Sequence, residues 1–402
     1  MASKIVVVGG SSPFTVELCH RVGETSLRDE PCELMLHGRD TQALASIRTF
    51  AEAALPGWKV ATTTILDEAL ERATIVVHQA RYGGLAGRFQ DEVLARELRT
   101  LSDETMGPGG LQAGLRIAHE VREFGARVAR QCPEAWVLNL VNPLGISTAL
   151  IAQEGVQRCL GVCELPTVTH RRLAFLLDVD PRALDWDYAG LNHRGFLYNL
   201  ACAGRDVLGE LVAALRTHED GDDIWGITAD MIASFQAVPL KYFRLFNGAP
   251  IHAEGRSHML ADIRSQALAE LKQAPTRYPP SLKNRDMPWY QHALVPTMSA
   301  LMGRVPPIVC TANLLMSDGT VSERIVTVEQ GRVTERLCAP PPPKVGAWLD
   351  CFARHEQAVV TAIRHPTRAS VAMALKLDPL LSCAQADAAI NLIDLNEEVC
   401  HE

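Results

Sequence analysis

A cysteine and a histidine are the residues of this sequence with the clearest potential for metal chemistry. Cys163 lies in the segment GVCELP (161–166) and His193 lies in GLNHRG (190–195), and each segment follows an apolar stretch. A thiolate and an imidazole are ligands that a borderline-soft divalent metal accepts. Taken alone, the pair is weak evidence for a metal site, because cysteine is among the residues most often buried in protein cores.

The chain begins with a glycine-rich turn of the kind that binds dinucleotides. A β-branched strand pattern at residues 4–8 runs directly into GGSS (9–12), and a helical pattern follows. Gly9, Gly10 and Ser12 supply a tight turn whose backbone amides can hold a pyrophosphate at a helix N-terminus. Serine and phenylalanine replace the second and third glycines of a strict GxGxxG motif, so a plain tight turn is the alternative.

The residues after the second predicted strand bear on the choice of cofactor. This strand, residues 33–37, is followed by Gly38 and Arg39 instead of the acidic residue that usually binds the adenosine ribose of NAD. A small residue followed by arginine commonly accommodates the 2′-phosphate of NADP. Both cofactors stay open at this point, and an ordinary exposed arginine is the alternative for Arg39.

Two further polar, glycine-rich segments are candidates for ligand contact. Residues 81–92 contain RYGG and Arg88, and we interpret them as a loop that follows a strand. The second segment is DETMGPGG (103–110), and we assign its Glu104 to the cofactor site. Arg88 could bind an anion as a bidentate fork, or it could form a salt bridge with the acids beside it.

Strands and helices alternate over about the first 165 residues. Strand patterns at 75–79 and 136–141 flank a helical pattern at 111–130. This rhythm predicts a doubly wound parallel sheet, with ligands beyond the carboxyl ends of its strands. We therefore predict a dinucleotide-binding Rossmann-type domain at 1–165 and an α+β domain for substrate, metal and oligomerisation at 166–402.

Composition excludes several classes of protein. The 402 residues carry a net charge of −8 without a long basic run, which argues against a nucleic-acid-binding surface. Eleven scattered cysteines indicate reduced thiols instead of a disulfide framework. The apolar run near the start is too short for a signal or a membrane span, so we expect a cytoplasmic protein.

These segments in combination resemble glycoside hydrolase family 4, the NAD- and divalent-metal-dependent glycosidases. GLNH and ETMGPGG point most towards its 6-phospho-β-glucosidase branch. The residues that carry the resemblance are GGSS, RYGG with Arg88, ETMGPGG, Asn142-Pro143, Cys163, GLNH, residues 239–242 and Arg285.

The resemblance implies a fold like that of lactate and malate dehydrogenases, and a redox-assisted elimination. In that reaction NAD oxidises carbon 3 of the sugar, a base removes the proton from carbon 2, and the aglycone leaves. Water then adds and the hydride returns, so the cofactor is not consumed. Mn²⁺ is the usual metal of the family, and we expect it to be held by Cys163 and His193.

Further roles follow from the resemblance alone. Tyr242 stands at the position of the catalytic base, although on sequence alone it could equally pack in an aromatic cluster with its neighbours. Asn142 and Asn192 would orient sugar hydroxyls. Arg88 and Arg285 match positions that hold the phosphate of the substrate.

The chain departs from the family pattern beside the metal cysteine, where Glu164 replaces the usual asparagine or aspartate. Its carboxyl group could protonate the leaving oxygen or change the anomer preference, so we include Glu164 among the catalytic candidates. Pro13, where serine is common, cannot donate a backbone hydrogen bond.

The sequence leaves several functions open. The first is hydrolysis of 6-phospho-β-glucosides, and the second is the same chemistry on unphosphorylated α- or β-glycosides. A simple NAD(P)-dependent 2-hydroxy acid dehydrogenase and a catalytically idle sugar or nucleotide sensor are the other two. We expect a small-molecule substrate and, from the resemblance, a homodimer or homotetramer.

Overall fold

The structure, a computed structural model, describes residues 3–101, 103–217, 224–247 and 255–393. Within these residues it forms strands and helices in alternation. The strands are β1 (Ser3–Val8), β2 (Cys32–His37), β3 (Lys59–Thr63), β4 (Ile75–His78), β5 (Trp136–Asn139), β6 (Cys159–Gly161), β7 (Leu184–Leu191), β8 (Arg194–Cys202), β9 (Arg205–Asp206), β10 (Val238–Pro239), β11 (Ile308–Leu315), β12 (Val321–Glu329) and β13 (Arg332–Glu335).

Helices cover both faces of the sheet that these strands build. They are α1 (Thr15–Gly23), α2 (Thr41–Ala54), α3 (Leu66–Leu70), α4 (Gly84–Glu97), α5 (Gly107–Gln131), α6 (Leu144–Gln153), α7 (Leu165–Leu176), α8 (Leu208–Thr217), α9 (Ala229–Phe235), α10 (Ser257–Gln273), α11 (Val295–Leu301), α12 (Pro343–Arg364), α13 (Arg368–Leu377) and α14 (Cys383–Leu392). Short 3-10 helices span Ser26–Asp29, Pro181–Ala183, Lys241–Asn247 and Pro280–Asn284, and a π-helical turn spans Tyr290–Leu294.

One mixed sheet runs through the described chain. Its parallel part has the order β3-β2-β1-β4-β5-β6, the usual order of a dinucleotide-binding doubly wound sheet. Beyond β6 the sheet continues with antiparallel pairing through β11, β12, β7, β8 and β10. The α/β fold class predicted from the sequence is therefore confirmed.

The strands of the parallel part are buried on both faces. Ile5 and Val7 of β1 pack into one hydrophobic core, whereas Val6 and Val8 pack into another. Successive side chains of a strand point to opposite faces, so a strand covered on both sides has no polar alternation. This explains the continuous apolar run at the start of the sequence.

Two details of the sequence interpretation are corrected by the structure. Residues 81–92, interpreted as a loop, lie mostly on helix α4, whose polar side chains Arg88, Asp91 and Glu92 are buried. Because these buried residues are charged, hydrophobic periodicity could not reveal the helix. Strands β3, β6 and β11 were also not predicted, since they are short or partly polar.

The predicted domain boundary at residue 165 stays a prediction. β6 ends at Gly161, and β11 pairs with β6, so the sheet crosses this part of the chain without interruption. Within the described residues, no helix combines the length and the apolar character needed to cross a membrane.

A row of four residues crosses the sheet where its parallel and antiparallel parts meet. Gly161 of β6 lies beside Asn313 of β11, which lies beside Glu323 of β12, which in turn lies beside Gly190 of β7. The fully buried Glu323 carboxylate accepts a hydrogen bond from the Asn313 amide at 2.9 Å and another from the Tyr188 hydroxyl. The row places Gly161, which begins the segment of Cys163, and Gly190, which begins the segment of His193, in one sheet.

We predict that Glu323 makes the stability of the metal-free protein fall as pH rises. Burial raises the pKa of Glu323 from 4.5 to about 7, outweighing the hydrogen bonds from Tyr188 and Asn313 that favour its charged form. Between these two values the unfolded chain releases a proton that the folded protein keeps, so ionisation favours unfolding. Replacing Glu323 with glutamine removes this effect. The free energy of unfolding of the variant minus that of the wild type should therefore be about 2–3 kcal/mol larger at pH 8 than at pH 4.5.

Urea denaturation in EDTA at both pH values measures this difference, with Glu335→Gln on β13 as the exposed control. A difference between Glu323→Gln and wild type that does not change with pH would contradict the assignment.

Candidate active site

A large groove lies beyond the carboxyl ends of the parallel strands. Its volume is about 900 Å³, near the upper end of the range for ligand pockets. Segments that follow β1, β4, β5 and β6 line it, as the doubly wound topology requires. The predicted site residues that line it are Gly9, Ser12, Arg39, Arg88, Glu104, Asn142, Cys163, Glu164, Asn192, His193, Tyr242 and Arg285.

The turn after β1 has the shape that a dinucleotide site needs. Gly9 has a φ of 96°, and a Cβ atom there would lie 2.8 Å from the carbonyl oxygen of Gln79. Only glycine fits this turn without strain. Gly10 instead packs against β2, donates its amide to the His37 carbonyl at 2.7 Å and does not line the groove. Ser11, which was not among the predicted site residues, lines the groove where Gly10 was expected.

Of the metal candidates that line the groove, Cys163 is buried and His193 is half-buried. Cys163 follows β6 and is 5% exposed. Asn192 and His193 form the two-residue turn of the β7–β8 hairpin, in which His193 has a φ of 66°. The Asn192 amide lies near enough to favour the charged form of the Cys163 thiol, without reaching hydrogen-bond geometry. The hairpin turn and the cysteine therefore face each other.

These buried groups lack the partners that buried polar atoms normally have. Nδ1 of His193 and both amide atoms of Asn192 make no hydrogen bond to any described residue. An unpaired buried polar group costs about 1–3 kcal/mol, so a ligand that satisfies it binds favourably. The groups therefore fit a site completed by a bound cation and a polar substrate.

Their protonation states suit metal binding. Burial, with the nearby Lys241 and Arg194, lowers the pKa of His193 to about 3, so its imidazole is neutral and free to coordinate. Burial and the nearby Glu164 and Glu323 carboxylates raise the pKa of Cys163 well above its ordinary value. A cation would reverse this shift, because it stabilises the thiolate. Within the described chain no group of three or more histidine, cysteine, aspartate or glutamate residues could hold a metal ion.

Tyr242 lies against the metal candidates. Its ring stacks on that of His193 with 4.4 Å between ring centroids, whereas Phe243 and Phe246 pack against Trp348. The ring of Tyr242 thus stacks on His193, and its side chain also packs against the hydrophobic core that contains Phe243. Burial and neighbouring acids raise the pKa of Tyr242, so the protein alone does not activate it as a base.

Glu164 and Lys241 complete this end of the groove. The Glu164 carboxyl group lies 4.0 Å from the Cys163 sulfur, and burial raises its pKa. The ammonium group of Lys241 lies 5.4 Å from the centroid of the Tyr242 ring. A carboxyl group and an ammonium group thus lie close to the metal candidates.

A compact ion cluster occupies the middle of the groove. Glu104 pairs with Arg81 and with Arg88, whose Nη1 lies 2.8 Å from its carboxylate, and it accepts a hydrogen bond from the Asn142 amide at 3.4 Å. Arg88 also donates to Glu92 at 2.9 Å. Burial alone would raise the pKa of Glu104, but the two arginines outweigh it and hold that pKa well below its ordinary value. The salt-bridge interpretation of Arg88 is therefore correct in this structure, although its side chain still lines the groove.

Arg285 differs from Arg88 in having no counter-ion among the residues that the structure describes. Its guanidinium carbon lies 4.1 Å from the centroid of the Phe14 ring and 5.1 Å from that of Trp289. Burial and the nearby Arg81 lower the pKa of Arg285 to about 10, so it is charged at neutral pH. Across the described ranges no carboxylate forms an ion pair with it, which makes it an available anion-binding group.

Other groove residues escaped the sequence interpretation. Gln79 follows β4, donates to the Thr15 hydroxyl at 2.9 Å and accepts from the Tyr290 hydroxyl at 2.8 Å. Its position directly after a buried strand was a usable signal. Arg256 and Trp289 lie on distant parts of the chain, and no spacing in the sequence could connect them with the groove.

Comparison with known proteins finds a family model that matches part of the chain. Residues 4–179 match the model described as Family 4 glycosyl hydrolase. A probable 6-phospho-beta-glucosidase of Bacillus subtilis (strain 168) is 28% identical over 255 residues, which cover 60% of this chain and 58% of that protein. The 6-phospho-beta-glucosidase of Escherichia coli (strain K12) is 32% identical over 220 residues, covering 52% and 48% respectively. The chain thus matches about half the length of these curated relatives.

Solved structures share the fold. A 6-phospho-alpha-glucosidase from gut microorganisms, in complex with NAD and Mn²⁺, superposes with a TM-score of 0.84 at 21% identity, covering 99% of this chain and 98% of that one. Lactate dehydrogenase of Eimeria maxima, with NADH and oxamate, superposes with a TM-score of 0.54 at 12% identity over 90% of this chain and 96% of its own. The expected resemblance to lactate and malate dehydrogenases is confirmed at the level of the fold. On the sequence matches, residues 4–179 of the chain are similar to family 4 of the glycosyl hydrolases.

Proposed function

We propose that this protein hydrolyses 6-phospho-β-glucosides by redox-assisted elimination, with a nicotinamide dinucleotide and Mn²⁺ as cofactors. The observation that carries the proposal is the set of unpaired buried groups of Asn192 and His193, which face Cys163 in the groove that also contains the nucleotide turn. The names of the relatives support a phosphoglucoside, and the NAD and Mn²⁺ of the similar structure support the two cofactors.

Different residues of the groove would bind the cofactors and the substrate. Gly9 and Ser12 would hold the dinucleotide, and Cys163 and His193 would hold the metal. When bound, the dinucleotide accepts and returns a hydride at carbon 3, and the metal acts as a Lewis acid on the neighbouring sugar oxygens.

Proton transfer would fall to two residues at the inner end. Tyr242 would remove the proton from carbon 2, because its ring lies flat against that of the proposed ligand His193. Its raised pKa means that it needs a nearby cation to act as a base, and the metal and Lys241 are placed to supply one. Glu164 lines the same end and would protonate the oxygen of the leaving aglycone.

Substrate binding would use the polar groups between these two ends. Asn142 and Asn192 line the groove and would orient sugar hydroxyls. Arg285 would bind the 6-phosphate, because it is a half-buried cation without a counter-ion among the described residues. Arg88 would support the same anion from within its ion cluster with Glu104.

The anomer is the finer part of the proposal. An alpha-acting enzyme is among the similar structures, and Glu164 replaces the residue that the family uses beside its metal cysteine. Turnover of 4-nitrophenyl 6-phospho-β-glucoside should be compared with that of the 6-phospho-α-glucoside and of both unphosphorylated glucosides. Cleavage of the phosphorylated β-compound alone supports the proposal, whereas cleavage of only the unphosphorylated compounds contradicts it.

The second candidate function is a simple dehydrogenase, which the shared fold with lactate dehydrogenase favours. It predicts one reduced dinucleotide per product, whereas the glycosidase predicts product with no net change in cofactor. Monitoring absorbance at the nicotinamide band during turnover distinguishes the two.

We predict that Cys163→Ala lowers kcat/KM for the phosphorylated glucoside at least about a hundredfold, because it removes a metal ligand. Dinucleotide binding, measured by calorimetry, should change little, since the cysteine lies away from the turn after β1. Cys383→Ala, at the exposed start of α14, is the matched control. Activity equal to wild type in the Cys163→Ala variant would refute the ligand assignment.

We predict that Arg285→Gln discriminates between phosphorylated and unphosphorylated substrates. Loss of a charge-assisted contact should lower kcat/KM for the phosphorylated glucoside about 10- to 100-fold, with a much smaller effect on any unphosphorylated glucoside that is cleaved. The exposed Arg354 on α12 provides the control variant Arg354→Gln. Equal losses on both substrates would mean that Arg285 does not bind the phosphate.

A further inference from the structure

The end of strand β2 carries a feature that the proposed reaction does not use. β2 ends at His37, and Gly38 and Arg39 follow it at the outer end of the groove. In doubly wound folds this position lies beside the ribose of the adenosine half of a dinucleotide. An acidic residue there accepts a hydrogen bond from the 2′-hydroxyl of NAD, and its negative charge repels a 2′-phosphate.

Packing excludes an acidic side chain from the first position of this turn. A Cβ atom on Gly38 would collide with the side chain of Ser11 and would lie 2.8 Å from the Ser11 backbone nitrogen. Because the obstacle includes backbone, it cannot move aside as a flexible side chain would. Position 38 therefore accepts glycine alone while the turn after β1 keeps its present path.

The nearest carboxylate in the sequence is already engaged. Asp40 caps helix α2, where one carboxylate oxygen accepts hydrogen bonds from the amides of Gln42 and Ala43 at 3.1 and 3.0 Å. It does not line the groove. Consequently no acid from the end of β2 is available to bind a ribose 2′-hydroxyl.

Arg39 is exposed, lines the groove and forms no ion pair with any residue that the structure describes. The other arginine at this end, Arg127, donates to Glu123 at 2.5 Å and to Asp67 at 3.4 Å. Glu120 and Glu123 on α5 also line this end, and Arg127 offsets one of these two charges. Arg39 is thus the cation with free donors beside the expected position of the ribose.

We propose that the adenosine end of the groove selects the 2′-phosphorylated dinucleotide, NADP, and that Arg39 binds its 2′-phosphate. A guanidinium fork matches the oxygens of a phosphate, and the Ser11 hydroxyl in the same wall can donate a further hydrogen bond. The similar structure holds NAD, so this assigns to the present chain a cofactor preference of its own. The inference rests on the proposed function only in requiring a dinucleotide in the groove.

Calorimetric titration of the full-length protein with NADP⁺ and NAD⁺, without metal or substrate, tests this preference. We expect NADP⁺ to bind at least about tenfold more tightly than NAD⁺. Arg39→Ala should remove this difference by weakening NADP⁺ alone, and Arg39→Lys should retain part of it. The matched control is Arg48→Ala, an exposed arginine of α2 that pairs with Glu52 outside the groove, and it should behave as wild type.

Adenosine 2′,5′-bisphosphate and adenosine 5′-monophosphate serve as further probes, because they isolate the 2′-phosphate from the rest of the dinucleotide. Equal or tighter binding of NAD⁺, or equal weakening of both dinucleotides by Arg39→Ala, would overturn the NADP assignment and leave the proposed hydrolysis intact. Binding of neither dinucleotide would overturn the assignment and the proposed function together.

Discussion

The candidate site depends on the cross-strand row Gly161, Asn313, Glu323 and Gly190. β11 and β12 lie between β6 and β7, and their pairing fixes how far apart the segments of Cys163 and His193 begin. The hydrogen bonds of Glu323 to Asn313 and Tyr188 hold this row in a part of the sheet that excludes water. Without β11 and β12, the sheet would not hold the cysteine after β6 in a fixed position relative to the turn between β7 and β8.

The chemistry proposed for the groove depends on groups that lack hydrogen-bond partners or whose pKa values are shifted by burial. His193 is neutral, the Cys163 thiol is held protonated, and the Asn192 amide lacks partners, so each of them would gain from a bound cation or sugar. Tyr242 would also gain from a bound cation, because burial raises its pKa and a nearby positive charge would lower it. The protein alone therefore does not complete an active site, and this agrees with an enzyme that relies on bound cofactors.

Positive charge is distributed unequally along the groove. Glu104 neutralises part of the charge of Arg81 and Arg88, whereas Arg285 at the proposed sugar end and Arg39 at the proposed adenosine end keep their charge unpaired among the described residues. An anion is expected at each of these two ends. A phosphorylated sugar and a 2′-phosphorylated dinucleotide would place a phosphate at each of them.

Much of this arrangement could be predicted from the sequence, because parallel strands present their carboxyl ends at one edge. The turn at Gly9 and the segment of Cys163 were placed correctly on that principle. The helical position of Arg88 and the unpaired state of Arg285 were not predictable, since both depend on contacts between distant parts of the chain. Gly10 was assigned to the cofactor by its motif, but its amide pairs with β2, a contact that only the sheet reveals.

The most direct test of the proposed chemistry is turnover of 4-nitrophenyl 6-phospho-β-glucoside in D₂O with Mn²⁺ and dinucleotide. A proton that Tyr242 removes from carbon 2 exchanges with solvent before it is replaced. We therefore expect nuclear magnetic resonance to show deuterium at carbon 2 of the glucose 6-phosphate product, with no net formation of reduced dinucleotide. A product that keeps its original hydrogen at carbon 2, or reduced dinucleotide formed in step with product, would contradict redox-assisted elimination at this site.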